Sequence, residues 1–126
     1  MNSSTQGLLL RAAEQGDLVM MGQLLWEGAD LNGASLHLKE TALIIAVRKG
    51  HLPAVKWLLD HGADPNKADN DGMVPLHFAA SRSRLLWTAL VDAGALDTVA
   101  AHNGMTPRQL RWDHQRQQQK GMSCGL

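Results

Sequence analysis

Six histidines and one pair of neighbouring carboxylates are the side chains of this chain best suited to metal binding or acid–base catalysis. The histidines are His37, His51, His61, His77, His102 and His114. None of them falls in the HxxxH or HExxH spacing that puts two ligands on one helix face, and the single cysteine supplies no thiolate pair. The pattern therefore predicts neither a metal site nor a cofactor.

The carboxylate pair, Asp69 and Asp71, has a simpler structural explanation. It lies in the run Asp69-Asn70-Asp71-Gly72, whose residue types favour a tight turn in which Asx side chains bond to nearby backbone groups. The chain also has no tyrosine, no glycine-rich phosphate loop and no nucleophile paired with a base at a recognisable turn. We therefore predict that the protein is not an enzyme, and we assign no catalytic residue.

The charged residues of the chain are balanced. Lysine plus arginine and aspartate plus glutamate number 12 each, so the net charge is zero with neutral histidine. This balance argues against a nucleic acid or an anionic membrane as partner, because both favour a basic stripe. The lone Cys124 cannot form an intramolecular disulfide, which fits a reducing compartment. Without a signal-peptide pattern or an apolar stretch of membrane-spanning length, we expect a cytoplasmic protein that is monomeric by itself.

A recurring segment organises the 126 residues. Each copy holds two short apolar-periodic stretches and closes on Gly28-Ala29-Asp30, Gly62-Ala63-Asp64 or Gly94-Ala95. The closing glycines are 34 and then 32 residues apart, a period typical of stacked helical repeats. The repetition predicts an all-α fold.

Local signals place the helices that such a stack needs. The predicted helices cover residues 7–14, 18–26, 41–47, 52–59, 75–80 and 85–92, and a last one opens at Thr106-Pro107 and continues through Trp112. Residues 2–5 supply N-caps for the first helix, Asp17 caps the second and Thr41 caps the third. Pro53 fits the first turn of the fourth helix, where a missing N–H has no consequence.

The four tryptophans are predicted to pack against the repeats. Trp57 and Trp87 align with apolar helix positions and are predicted to lie between repeats, and Trp112 is predicted to seal the C-terminal end. Trp26 aligns with Asp60, at an outer position. We predict that Trp26 covers the hydrophobic core, with an exposed anchor for a partner as the alternative.

Two segments of the chain resemble the repeat motif of a known protein family. Thr41-Ala-Leu-Ile-Ile-Ala-Val and Val74-Pro-Leu-His-Phe-Ala-Ala resemble the TPLHLAA motif of ankyrin repeats, and Gly50-His51-Leu52 is similar to its inter-helix turn. The resemblance implies an ankyrin-repeat solenoid of stacked helix-turn-helix pairs with projecting β-hairpin loops. It implies a domain over residues 1–113, with repeats near 7–37, 38–70 and 71–102 and a partial repeat at 103–113, followed by a polar tail at 114–126.

The resemblance also implies roles for individual residues. His51 and His77 would brace neighbouring repeats through hydrogen bonds to the backbone. Thr98 replaces the asparagine found at positions 32 and 66, so the third closing loop is predicted to be held less well.

In ankyrin repeats the hairpin tips and the solvent side of the inner helices form a concave binding face. Transferred to this chain, that face consists of Arg11, Glu14, His37, Leu38, Lys39, Glu40, Ile45, Arg48, Lys49, Asn70, Asp71, Met73, Phe78, Arg82, His102, Asn103 and Met105. Its apolar members would form a contact centre within a polar rim, although Ile45 and Phe78 could instead close the core between repeats. The implied function is non-catalytic binding of another protein, as a stoichiometric inhibitor or immunity-type protein. The alternative is a regulatory or targeting part of a larger multidomain protein.

Overall fold

A computed structural model describes residues 3–110, which form helices joined by turns. The helices are α1 (Ser3–Gln15), α2 (Leu18–Trp26), α3 (Ala42–Lys49), α4 (Leu52–Asp60), α5 (Pro75–Ala80) and α6 (Arg84–Asp92), with a further helical turn at 107–110. No strand occurs within residues 3–110; a single antiparallel bridge joins Ala34 to Thr41. The predictions for Trp112, for the rest of the last helix and for the tail at 114–126 lie outside the described residues.

Successive helices pair into three units, α1 with α2, α3 with α4 and α5 with α6. The units stack because α3 packs against both α1 and α5, while α4 packs against α6. Since α3 has neighbours on both flanks, every residue from Ala42 to Val47 is buried. Ile45 is only 7% exposed, so the prediction that it contributes to a binding surface is wrong. The alternative is confirmed for Ile45, which belongs to the core between units.

The predicted starts of α2 and α3 are confirmed, each with the capping side chain that was predicted for it. The Asp17 carboxylate accepts a hydrogen bond from the Met20 N–H at 3.1 Å, and the Thr41 hydroxyl accepts one from the Ile44 N–H at 3.2 Å. Pro53 is the second residue of α4, as expected. Ser83 was not predicted as a cap, yet its hydroxyl accepts from the Leu85 and Leu86 N–H groups. That cap lets α6 begin one residue earlier than predicted.

The first helix begins four residues before its predicted start at Gly7. Gln6 lies in the additional turn, and its side-chain amide forms hydrogen bonds with the closing loop of the same unit. The Gln6 Oε1 accepts from the Asp30 N–H and its Nε2 donates to the Asp30 carbonyl, both at 3.0 Å. Residues 3–6 are therefore part of the helix and not the cap that precedes it.

Asparagine side chains form the same pair of hydrogen bonds between units. The Asn66 Oδ1 accepts from the Leu96 N–H at 2.8 Å, and its Nδ2 donates to the Gly94 carbonyl at 3.1 Å. Asn32 makes the equivalent pair of bonds one unit earlier, to the Asp64 N–H and the Gly62 carbonyl. Each asparagine therefore ties its loop to the closing loop of the next unit, where the backbone turns away from helical geometry.

Replacement of Asn66 by alanine is expected to lower the free energy of unfolding by about 1–2 kcal/mol, because two hydrogen bonds between units are lost. Chemical denaturation followed by circular dichroism measures this change. Asn70→Ala, at an exposed position, is the matched control and should leave the denaturation midpoint unchanged. Equal midpoints for the two variants would contradict the role of Asn66.

Thr98 occupies the position at which Asn32 and Asn66 form hydrogen bonds with the closing loop of the next unit. It is exposed, and its side chain forms no hydrogen bond within residues 3–110.

A projecting turn follows each of the three units, and we call these turns tip 1 (35–40), tip 2 (69–73) and tip 3 (101–105). Each is closed by a backbone hydrogen bond between its first and last residue. The tips are also joined side by side: the Asn70 N–H donates to the Leu38 carbonyl at 2.8 Å and the His102 N–H to the Asp71 carbonyl at 2.9 Å. They are shorter than the β-hairpins that were expected, but the backbone bonds hold them in one row.

Candidate binding surface

Met73 and Phe78 form the floor of a groove between the tips and the inner helices α3 and α5. Both side chains are half-buried, and Phe78 also packs against the core. A cleft of about 370 Å³ lies on the tip side and is lined by Asp69, Asp71, Met73, Phe78, Ala101, His102 and Asn103. A second cleft of about 370 Å³ lies on the helix side and is lined by Arg48, Met73, His77, Phe78, Ser81, Arg82 and Leu110. We call these two clefts and their shared floor the tip–helix groove.

Opposite charges stand on the two sides of this groove. Asp71 lies on the tip side and Arg82 on the helix side, and neither forms an ion pair within residues 3–110. Asp69 has a different role, because its carboxylate accepts from the Asp71 and Met73 N–H groups and so shapes tip 2. The turn-forming role predicted for Asp69 is therefore confirmed.

Two ion pairs bring further predicted residues together along the inner helices. The Arg48 guanidinium lies 3.0 Å from the Glu40 carboxylate, and the Lys49 ammonium lies 3.7 Å from the Glu14 carboxylate in the preceding unit. Both carboxylates therefore form an ion pair, whereas the Arg82 guanidinium forms none within residues 3–110 and faces solvent.

The remaining predicted contact residues also lie on the surface, with one group more enclosed than the other. The exposed ones are Arg11, His37, Leu38, Lys39, Asn70, His102 and Asn103. Glu40 and Met105 are half-buried. Tips 1 to 3 thus present a continuous row of side chains beside the tip–helix groove.

Two histidines act as braces within the fold, as the resemblance implied. The His77 Nδ1 accepts from the Val74 N–H at 2.9 Å, so its Nε2 carries the proton and donates to the Met105 carbonyl at 2.9 Å. The His51 Nε2 lies 2.8 Å from the Glu14 carbonyl and links units 1 and 2. Both rings brace neighbouring units, and the His77 side chain also lines the helix-side cleft of the groove.

Arg82 occupies at the next junction the place that His51 occupies at the first. The His51 ring covers Gly16, and the Arg82 guanidinium covers Gly50, where an added Cβ would come within 2.9 Å of Arg82 Nε. Gly50 has a φ of 80°, and this backbone conformation is what favours glycine there. The stacking over Gly50 holds Arg82 at the rim of the groove.

Trp26 corrects a prediction about packing. Its side chain is 90% exposed on the outer side of α2, so the expected cover of the core is wrong and the alternative of an exposed position is right. Asp60 and Asp92, at the equivalent positions of α4 and α6, are exposed as well, so this position faces solvent in all three units. Trp57 and Trp87 do pack: Trp87 is buried, and Trp57 stacks on His61 with ring centroids 3.9 Å apart.

Replacement of Trp26 by glutamine should therefore leave the stability unchanged to within about 0.5 kcal/mol, as is usual for exposed positions. Thermal unfolding followed by circular dichroism measures this. Trp87→Gln, at a buried position, provides the contrast and should unfold at a clearly lower temperature. A large loss in Trp26→Gln would mean that the side chain is covered in solution.

Sequence reasoning missed Leu36, which is 89% exposed in tip 1. Tip 1 has six residues and tips 2 and 3 have five each, and the additional residue is Leu36 or His37. The extra length of this loop was visible in the sequence, but the residue responsible for it was not.

The outer helices carry a separate cleft of about 420 Å³ between α4 and α6. It is lined by Lys56, Leu59, Asp60, Ala89, Asp92 and Ala93. Two alanines, one lysine and two aspartates are among the residues that line it, in contrast to the large apolar floor of the tip–helix groove.

Two kinds of site are absent from the part of the chain that the structure describes. No group of three or more His, Cys, Asp or Glu side chains is arranged to hold a metal ion. None of its helices combines the length and the apolar character needed to cross a membrane.

Comparisons with known proteins agree with the repeat architecture. Residues 9–100 match a family model described as ankyrin repeats, in three copies. The chain is 33% identical over 108 residues to the inactive serine/threonine-protein kinase TEX14 of Bos taurus, 39% over 71 residues to the 2-5A-dependent ribonuclease of Mus musculus, and 36% over 96 residues to the neurogenic locus Notch protein of Drosophila melanogaster. These alignments cover 85%, 56% and 75% of this chain but only 7%, 10% and 4% of the respective relatives.

Proposed function

Because this chain belongs to the ankyrin-repeat family, whose repeats serve in protein–protein interaction, we propose that it binds another protein through the tips and the tip–helix groove. The activity is recognition and not catalysis. Occupation of the groove would cover the partner's contacting segment, so that binding itself produces the effect.

The observation that carries this proposal is the groove with its half-buried Met73 and Phe78 and its unpaired Asp71 and Arg82. Protein interfaces combine an apolar centre with a polar rim, and the strongest contributions come from groups that lose all their water at the centre. Met73 and Phe78 offer such a centre. Asp71 and Arg82 fix the orientation of a partner, because each side of the groove attracts the opposite charge.

As a finer proposal, the chain acts as a stoichiometric inhibitor or immunity-type protein of its partner. The rationale is mechanical: a rigid row of tips joined by backbone bonds can lie across a partner's site and block it without changing shape. The equal numbers of basic and acidic residues support a protein as partner more than a nucleic acid or a membrane surface.

A second candidate is a regulatory or targeting role for these repeats within a longer multidomain protein. It is favoured by the comparisons, since the chain spans a tenth or less of the length of the relatives named above. In that case the tip–helix groove would recruit a partner to the activity of another domain.

Affinity capture with this chain as bait, followed by mass spectrometry, tests the proposal. The wild type is compared with Met73→Glu/Arg82→Glu and with the outer-surface variant Lys56→Glu/Leu85→Glu. We expect at least one protein whose recovery falls more than tenfold with the groove variant alone. A single partner recovered at equal stoichiometry favours the inhibitor. Recovery that both variants leave intact would contradict binding through the groove.

A further inference from the structure

Trp26 has the largest exposed fraction of any large apolar side chain in residues 3–110, at 90%. Val19, on the same helix, is 82% exposed, and the adjacent Met20 is 40% exposed. Val19 and Trp26 are seven positions apart, close to two full turns of an α-helix, so their side chains lie on the same side of α2. The outer side of α2 is therefore an apolar face over most of the length of the helix.

Within α2 no charged residue interrupts this face. Residues 18–26 contain neither a cation nor a carboxylate. The other two outer helices contain both, Lys56 and Asp60 in α4 and Arg84 and Asp92 in α6. A contiguous apolar face on an otherwise polar surface marks a contact site. The outer side of α2 thus differs from the equivalent sides of α4 and α6.

Carboxylates border the face at both ends. At the start of α2 the Asp17 carboxylate accepts a hydrogen bond from the Met20 N–H at 3.1 Å. At its end the Glu27 carboxylate accepts from the Gln23 side-chain amide at 3.3 Å. Gln23 is exposed one turn before Trp26, so Glu27 lies over the same side of the helix as the indole. Neither carboxylate forms an ion pair within residues 3–110.

The segment that contains α2 is acidic throughout. Residues 12–38 contain four carboxylates and no lysine or arginine. The cations that border this segment, Arg11 and Lys39, belong to the groove side of the molecule. Arg11 occupies the inner-helix position that lines the groove in α5, and Lys39 lies in tip 1. Since the whole chain is neutral, the acidic excess is local to unit 1.

The cations of the next unit are already placed. The Lys49 ammonium lies 3.7 Å from a carboxylate of α1, and the Lys67 ammonium donates to a backbone carbonyl of unit 1. Lys56 lines the cleft between α4 and α6. None of the three forms an ion pair with Asp17 or Glu27. Within the described part of the chain, the face of α2 is therefore apolar along its length and acidic at its ends, without a cation to neutralise it.

We propose that the outer side of α2 binds a basic amphipathic helix of a partner protein, at a site separate from the tip–helix groove. Apolar side chains of that helix cover Val19 and Trp26, and its lysines or arginines face Asp17 and Glu27. A cation over the Trp26 indole is attracted by the face of the ring as well as by the adjacent carboxylate. A helix fits because α2 is a convex cylinder that offers side-chain ridges and no strand edge.

A second copy of this chain is a poor occupant of the same face. In an antiparallel pair of α2 helices, Asp17 of each copy meets Glu27 of the other, and in a parallel pair each carboxylate meets its own equivalent. Both arrangements bring like charges together, which opposes association. An anionic membrane surface is disfavoured for the same reason. Charge therefore selects a basic protein segment.

Binding is tested with the full chain and three labelled synthetic peptides, by fluorescence anisotropy. The first peptide is an amphipathic helix with leucine on one face and lysine on the other. The second has glutamate in place of lysine, and the third has the composition of the first in an order without an apolar face. We expect the first peptide to bind and the other two to bind at least about tenfold more weakly. Binding of the first peptide should also weaken as salt increases.

Matched variants locate the binding on α2. Trp26→Gln/Glu27→Gln removes an indole and a carboxylate, and Leu85→Gln/Asp92→Asn makes the same two kinds of change on α6. We expect the α2 variant to weaken binding of the leucine–lysine peptide at least about tenfold and the α6 variant less than about threefold. All four side chains are exposed, so both variants should unfold at the wild-type temperature.

Three results would overturn the inference: equal binding of the three peptides, no binding of the leucine–lysine peptide, or equal weakening by the two variants. The last of these would mean that the peptide responds to the net charge of the chain. Sedimentation velocity tests the other occupant, because a wild-type dimer that Trp26→Gln dissociates would assign the face to a second copy and overturn the inference as well. None of these results bears on the tip–helix groove, which Met73→Glu/Arg82→Glu tests separately.

Discussion

Replacement of His77 by alanine is expected to lower the free energy of unfolding by about 3 kcal/mol. The His77 ring is 2% exposed and joins the Val74 N–H of its own unit to the Met105 carbonyl of tip 3. Alanine leaves the buried N–H of Val74 without an acceptor, and each such unsatisfied group costs about 1–3 kcal/mol. The vacated ring volume adds to the loss. The melting temperature should fall by more than about 10 °C.

His37 is the matched control, since it is an exposed histidine of tip 1. His37→Ala should unfold at the wild-type temperature. Chemical denaturation of the two variants side by side measures the difference between a histidine that joins units and one that only faces solvent. A His77→Ala protein as stable as His37→Ala would mean that the two hydrogen bonds contribute little in solution.

The second large effect concerns binding. Met73→Glu together with Arg82→Glu should weaken the affinity for the partner at least 100-fold, equivalent to about 2.7 kcal/mol. The first substitution places a charge on the apolar floor of the groove, and the second reverses the unpaired charge on its helix side. Stability should change little, because neither side chain is fully buried. Isothermal titration calorimetry measures the affinity and thermal unfolding the stability.

Lys56→Glu together with Leu85→Glu is the matched control on the outer helices. It also exchanges one cation and one apolar residue for glutamate, and both residues are exposed. This variant should bind within threefold of the wild type. If it weakened binding as much as the groove variant, the partner would recognise the net charge of the chain and not the groove.

The fold was predictable because its determinants are local and repeated. Asp17 and Thr41 each precede an apolar-periodic stretch and cap it, and Pro53 stands in the first turn that tolerates it. The recurrence of the closing glycines then gave the order of the units before any contact was known. Such signals depend on the residues within a few positions along the chain.

The errors concern residues whose environment depends on the neighbouring units. Ile45 is buried in α3, which α1 and α5 both contact, and no pattern within α3 distinguishes a position covered by a neighbouring unit from a solvent-facing one. Trp26 is exposed although tryptophan usually packs, because α2 turns its outer side to solvent. Gln6 extends α1 through bonds to Asp30, a loop residue 24 positions away. The environment of each of these residues depends on the three-dimensional arrangement of helices and loops, which local sequence patterns do not reveal.

Hydrogen–deuterium exchange of the complex with the captured partner tests the central claim most directly. The account predicts slower exchange in tips 1 and 2 and at the C-terminal ends of α3 and α5, with unchanged exchange in α4 and α6. Protection confined to the outer helices around Lys56, Asp60 and Asp92, with tips 1 and 2 exchanging as in the free chain, would contradict binding through the tip–helix groove.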